Sequence, residues 1–312
     1  MSPFAQHVAA SLTAPQAHLS SRFIYDERGS RLFQDIMALD AYYLTRAEYA
    51  TLQREAGPIA AAFADDGRPI DLIELGAGDG TKTKLLLAEL LRSGRDFRYR
   101  PIDISADILA TLGADLRTHY PTLDFAPLTG TYLEALRELD PDPARRRVVL
   151  FLGSNLGNFS LAEAGGFLAA TTATLAPADL LFLGVDLRKA PRRILAAYDD
   201  EAGVTAAFNL NLLHRLRREL NAELDIDAWG FYPTYNPETG EVRSYLYPTS
   251  EQRIRIPALG IDRVFGTHET IHTEVSRKYS LSELDELAGA AGCVPVHRWL
   301  AEEGFADILW QR

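Results

Sequence analysis

The clearest chemical signal in the chain is a run of glycines behind an acidic residue, Glu74-Leu-Gly76-Ala-Gly78-Asp79-Gly80, at the end of the apolar segment PIDLIEL. Glycine at alternate positions lets the backbone approach a ligand and turn sharply into a helix, whose N-terminal end is partially positive. A dinucleotide normally asks for Gly-x-Gly-x-x-Gly. Here the third glycine comes one residue early and Thr81 follows it. That spacing suits S-adenosylmethionine better, because there is no pyrophosphate to cradle. A dinucleotide site and a tight turn without ligand are the alternatives. Asp103 stands at the expected tip of the next strand, where a carboxylate can accept both ribose hydroxyls. It could equally cap the helix that Asp103-Ile-Ser105-Ala introduces. Thr131 and Tyr132 occupy the place where adenine is usually held.

Further along, Phe151-Leu-Gly153-Ser154-Asn155-Leu-Gly157-Asn158-Phe159 follows a strong apolar strand. Asn155 and Asn158 each offer an acceptor and a donor, which suits an α-amino acid or a polar turn. In Thr273-Glu274-Val-Ser276-Arg277-Lys278-Tyr279, strand geometry puts Glu274 and Ser276 on one face. A carboxylate and a hydroxyl there could grip a ring bearing two N–H groups, or could belong to an exposed strand with a Glu–Lys pair. Ala41-Tyr42-Tyr43 and Tyr198-Asp199-Asp200 could pack or touch ligand. The seven histidines form no HExxH or facial pattern, so no metal is expected. Ser154 lacks the Gly-x-Ser-x-Gly elbow, which argues against a serine hydrolase.

Strands alternating with helices must position these residues. From residue 69, PIDLIELG, FRYRPIDIS, DFAPLTGTY, RVVLFLGSN and DLLFLGVDL predict strands, with helical segments between them. This pattern makes a parallel sheet covered on both faces. Residues before 60 are expected to be helical. Ser30 is expected to cap one helix, and a second, entered at Thr45, should be interrupted near Gly57-Pro58. Residues 188–276 break the alternation and form an insertion: helices, then antiparallel strands with NPETG as a hairpin loop. The chain then re-enters the sheet with a helix and two strands.

Composition narrows the function further. The chain has 312 residues, a net charge of −11, one Cys and 47% hydrophobic residues. It is too apolar to be disordered. One Cys allows no intrachain disulfide. No apolar run spans a membrane and no secretory signal begins the chain, so a cytoplasmic protein is expected. The acidic balance argues against a nucleic-acid partner. Nothing demands a dimer.

Several blocks together, YDERGSRLFQDIMAL, AYYLTRAEY, LIELGAGDGTKT, PIDIS, FLGSNLGNF, LLFLGVDLRK, AAYDDEAGVTAAFNLN and HTEVSRKY, resemble the histidine Nα-methyltransferases of ergothioneine biosynthesis and their wider amino-acid methyltransferase family. The resemblance covers roughly residues 20–312. It implies a class I methyltransferase, α/β with a Rossmann-like sheet, formed by residues 61–187 and 277–312. A second, α+β substrate-binding domain would comprise 1–60 and 188–276. S-adenosylmethionine would contact Gly76, Gly78 and Lys82, with Asp103 on the ribose. The family's Asp–Phe pair at adenine falls on Thr131 and Tyr132, a departure. Recognition of the amino-acid backbone falls on Tyr42, Asn158 and Tyr198, and recognition of imidazole on Glu274 and Ser276. Tyr25 matches a mobile tyrosine near the reacting amine. Ser244 stands where the family usually carries Met, at the side-chain end of the substrate pocket, so the substrate could be a histidine relative. The reaction implied is methyl transfer to the α-amine of histidine, up to trimethylation. Methylation of tryptophan, tyrosine or a modified histidine, and a non-catalytic sensor, are the other readings.

Overall fold

A computed structural model describes residues 1–312. In chain order the helices α1 (Pro3–Ser11), α2 (Glu27–Ala38) and α3 (Leu44–Phe63) come first. The alternation follows: β1 (Ile70–Leu75), α4 (Thr83–Arg92), β2 (Phe97–Asp103), α5 (Ala106–His119), the short β3 (Asp124–Phe125) and β4 (Leu128–Thr129), α6 (Tyr132–Glu138), β5 (Arg146–Phe151), α7 (Leu161–Thr172) and β6 (Leu180–Asp186). The insertion holds α8 (Pro191–Ala196), α9 (Val204–Leu220), β7 (Trp229–Asn236), β8 (Glu241–Pro248), β9 (Gln252–Ile256), β10 (Ile261–Phe265) and β11 (Ile271–Arg277). The chain closes with α10 (Leu281–Ala290), β12 (Val294–Leu300) and β13 (Phe305–Gln311). No helix is long and apolar enough to cross a membrane.

The chain divides into two compact units, 44–188 with 278–312 and 1–43 with 189–277. In the first, the sheet order is β12-β13-β6-β5-β1-β2-β3, with β4 also on β2. Strands β1 to β6 run parallel, and β13 enters antiparallel between β6 and β12. This is the Rossmann-like α/β sheet expected of a class I methyltransferase. β1, β5 and β6 are buried throughout, as central parallel strands must be when helices cover both faces. Alternation along them sorts the core into two layers. Ile73, Leu75, Val149 and Phe151 pack with Leu136, Phe167, Leu168 and Leu287. Ile70, Leu72, Val148 and Leu150 pack with Leu52, Ile59, Phe63, Leu86 and Leu112.

That second layer corrects two expectations. Residues 44–60 belong with the sheet, because Leu52, Ile59 and Phe63 bury against its strands. Nor is α3 interrupted at Gly57-Pro58: the helix runs through Pro58, and burial of Leu52, Ile59 and Phe63 along it outweighs one missing backbone bond.

In the other unit β7, β8 and β11 form an antiparallel sheet, β9 and β10 a hairpin, and α1, α2 and α9 pack with them around Val8, Leu12, Phe208, Leu212, Leu246 and Ile271. The loop 236–240 is the expected hairpin turn: Gly240 N–H donates to Asn236 O at 2.8 Å, with Gly240 at φ 74°. Helix α2 starts earlier than expected. Its cap is Asp26, not Ser30, because Asp26 Oδ1 accepts from Gly29 N at 2.7 Å and from Asn211 Nδ2 at 2.8 Å.

Candidate active site

In the sheet unit, Gly76, Gly78 and Gly80 all take positive φ, at 78°, 54° and 67°. A side chain would be strained at each. At Gly76 a Cβ would also meet Tyr132 Oη at 2.8 Å, whereas at Gly78 nothing lies within 4 Å, so bare backbone faces open space there. The acid before the loop, Glu74, is not exposed to a ligand. It is buried and accepts from Thr83 Oγ1 at 2.5 Å and from Tyr99 Oη. Burial pushes its carboxyl up to about 7.

Asp103 ends β2, and its Oδ1 accepts from Ser105 N at 3.0 Å. The cap of α5 is Ser105, whose hydroxyl accepts from Ile108 N at 3.3 Å. The helix therefore does not need Asp103 as its cap. Tyr132 starts α6 with its ring against Phe151 and Phe167, centroids 5.6 and 6.3 Å away. Burial pushes its phenol up to about 12, so it stays a neutral wall over Gly76. Thr131 is exposed and donates to Glu134. Of the two asparagines after β5, Asn155 is spent on the turn, donating to Leu152 O at 2.8 Å, while Asn158 is exposed. Bare glycine backbone, open space at Gly78 and a carboxylate at the next strand tip fit an adenosyl group bearing an amino-acid tail.

The other unit joins most of the expected substrate residues through direct contacts. Tyr25 packs edge-on against Phe33 and Phe208, centroids 5.5 and 5.4 Å apart, and is 44% exposed, so part of it meets solvent. Phe33 leads to Tyr42 at 6.3 Å, and Tyr42 to Tyr198 at 6.2 Å. Tyr198 Oη and Ser276 Oγ are 2.8 Å apart and buried. On the antiparallel ladder Glu274 stands opposite Ser244, and Ser276 opposite Val242. Cross-strand partners share a face, so Glu274, Ser276 and Ser244 do as well. A break in register between His272 and Glu274 frees Thr273, whose hydroxyl meets Asn209 Oδ1 at 2.6 Å and Ser244 O at 3.1 Å. This group offers a carboxylate, the hydroxyls of Ser244, Thr273 and Ser276, and the phenols of Tyr25, Tyr42 and Tyr198, a chemistry that can accept N–H groups.

Lys82, at the start of α4, pairs with Glu48 of α3. Glu48 was not singled out from the sequence. Its signal was a charged residue at the centre of the stripe Leu44, Glu48, Leu52, where the helix is buried.

The histidine-specific, S-adenosylmethionine-dependent methyltransferase family matches residues 4–312. The chain is 38% identical to a histidine N-alpha-methyltransferase of Mycolicibacterium smegmatis, over 95% of this chain and 91% of that one. It is 34% identical to its namesake from Mycobacterium tuberculosis, with the same coverage. An L-tryptophan methyltransferase of Psilocybe serbica is 29% identical over 93% of this chain and 87% of its own length. With a family match running almost from end to end and the glycine loop, strand-tip carboxylate and sheet order in place, the chain belongs to the histidine-specific, S-adenosylmethionine-dependent methyltransferases.

Proposed function

We propose that this protein transfers methyl groups from S-adenosylmethionine to the α-amine of L-histidine, up to the trimethylated betaine, in an ergothioneine-type pathway in the cytoplasm. The observation that carries the choice of histidine is the shared strand face of Glu274 and Ser276, with Ser276 tied to Tyr198. A carboxylate there accepts an imidazole N–H, which an apolar side chain cannot donate. Tyr42, Tyr198 and Asn158 are the proposed contacts to the amino-acid carboxylate and nitrogen. Gly76, Gly78, Lys82, Asp103, Thr131 and Tyr132 are the proposed contacts to the methyl donor. No metal takes part in this reading.

When bound, the donor supplies a methyl carbon made electrophilic by its sulfonium. The neutral amine attacks in line: an N–C bond forms, the S–C bond breaks, and the ammonium proton leaves to water. The protein's contribution is orientation and placed charge. Tyr25, partly exposed beside Phe33 and Phe208, is the proposed group nearest that proton. Mass spectrometry of histidine incubated with protein and donor should show successive additions of one methyl. An unchanged histidine mass, with donor bound, would refute the substrate assignment.

A second reading rests on Ser244, buried opposite Glu274. A small hydroxyl there leaves room that a larger side chain would fill, so a histidine relative or an aromatic amino acid is the alternative substrate. Competition across the common amino acids, with thiol-bearing and methylated histidines added, separates the two.

A further inference from the structure

In the sheet unit, α3 carries a buried charge that the reading above does not use. Glu48 is fully buried. Its Oε1 accepts from Gly153 N at 2.8 Å, and its Oε2 accepts from the same N–H at 3.1 Å and from Lys82 Nζ. One carboxylate thus ties the entry to α4 to the turn after β5. Lys82 Nζ lies 3.1 Å from where a Cβ on Gly153 would stand, so the ammonium rests over bare backbone. The Lys82 side chain is 23% exposed and that of Glu48 0%, so the open side of the pair belongs to the ammonium.

The surroundings are shaped for this carboxylate. A Cβ on Gly184 would stand 1.9 Å from Glu48 Oε1 and 3.4 Å from Asp307 Oδ1, so β6 must be bare at that point. Asp307 is buried with no hydrogen-bond partner on either oxygen, and burial together with the Glu48 charge pushes its carboxyl well above the usual range. Asp307 makes no hydrogen bond to Lys82, so Glu48 is the carboxylate that holds the ammonium. A buried ion pair is a poor source of stability, and setting geometry is one reason for a fold to keep one.

We infer that Glu48 is a positioning residue: it holds the Lys82 ammonium over Gly153, where that ammonium takes the carboxylate at the amino-acid end of the methyl donor. The inference rests on the proposed donor site and not on the identity of the methyl acceptor. An ammonium with one donor committed to Glu48 keeps two for an incoming carboxylate.

The test is calorimetric binding of two nucleosides to the full chain. Adenosylhomocysteine carries the amino-acid end; methylthioadenosine has the same nucleoside and thioether without it. Glu48→Gln should weaken adenosylhomocysteine about tenfold or more and change methylthioadenosine less than twofold. Lys82→Met should show the same selectivity, and the double variant should lose no more than the worse single one. Equal weakening of both nucleosides in Glu48→Gln, or of neither, overturns the inference. If Glu48→Gln does not fold, absence of selective loss in Lys82→Met overturns it instead. A native protein that binds neither nucleoside overturns the donor site as well.

Discussion

Replacing Glu74 by Gln isolates a buried carboxyl whose charge state alone changes with pH. In the folded chain burial raises it from its ordinary 4.5 to about 7, against the opposing hydrogen bonds from Thr83 and Tyr99. A folded state that binds the proton more tightly than the unfolded one loses stability as pH rises. The contribution is fully present below 4.5 and is lost as pH climbs through about 7. At 1.36 kcal/mol per pH unit the whole interval is worth ~3 kcal/mol, and the part between pH 5 and pH 8 about 2.5 kcal/mol. Glu74 is 3% exposed, so solvent screening removes little of this. The amide of Gln can accept from Thr83 and donate to Tyr99 Oη, which leaves a roughly pH-independent offset of about 1 kcal/mol or less. Urea unfolding of both proteins at pH 5, 6, 7 and 8 should therefore show the variant gaining on the native protein by about 2.5 kcal/mol from the lowest pH to the highest. A constant difference across that range would mean that Glu74 is not kept protonated by burial, and the argument would fail.

Other perturbations separate the two ligands. Glu274→Ala should weaken histidine by roughly tenfold to a hundredfold, the equivalent of a lost charge-assisted hydrogen bond of 1.5–3 kcal/mol, and leave adenosylhomocysteine binding unchanged; unaltered histidine affinity in a titration would reject this role. Asp103→Asn should cost about tenfold in adenosylhomocysteine affinity with histidine binding intact, because a neutral amide accepts ribose hydroxyls less well. Gly76→Ala combines positive φ with a contact 2.8 Å from Tyr132 Oη, so thermal unfolding should reveal a loss of about 1–3 kcal/mol; an unchanged midpoint would show that the loop relaxes freely.

The strands of the sheet were legible because burial on both faces leaves continuous apolar runs such as VVLFL and LLFLGV, and the glycine turn because positive φ demands its residue type. The end of α2 nearest the N-terminus was not, because Ser30 and Asp26 are both good caps and only the contacts of Asn211 and Gly29 favour Asp26. Pro58 misled for a similar reason: tertiary burial kept α3 intact where local preference would end it. In the candidate site, residue types pointed to Glu274 and Ser276, and strand periodicity put them on one face despite the register break before Glu274. Only its charge within the stripe Leu44, Glu48, Leu52 marks Glu48; what it binds is not legible, since Lys82, Gly153 and Gly184 are 34 to 136 positions away and no spacing rule connects them.

The unit built from residues 1–43 and 189–277 has a consequence for how the chain emerges during synthesis. The cluster that buries Phe4, Val8 and Leu12 is complete only when Leu246 and Ile271 have been made. At about 5–20 residues per second that wait is on the order of ten to fifty seconds. β6 likewise stays an open edge until the whole insertion has been made, because its partner β13 follows that insertion in the chain. A nascent chain stalled before residue 250 should therefore depend on chaperone cover at two separate places, its leading helices and the unfinished rim of the sheet.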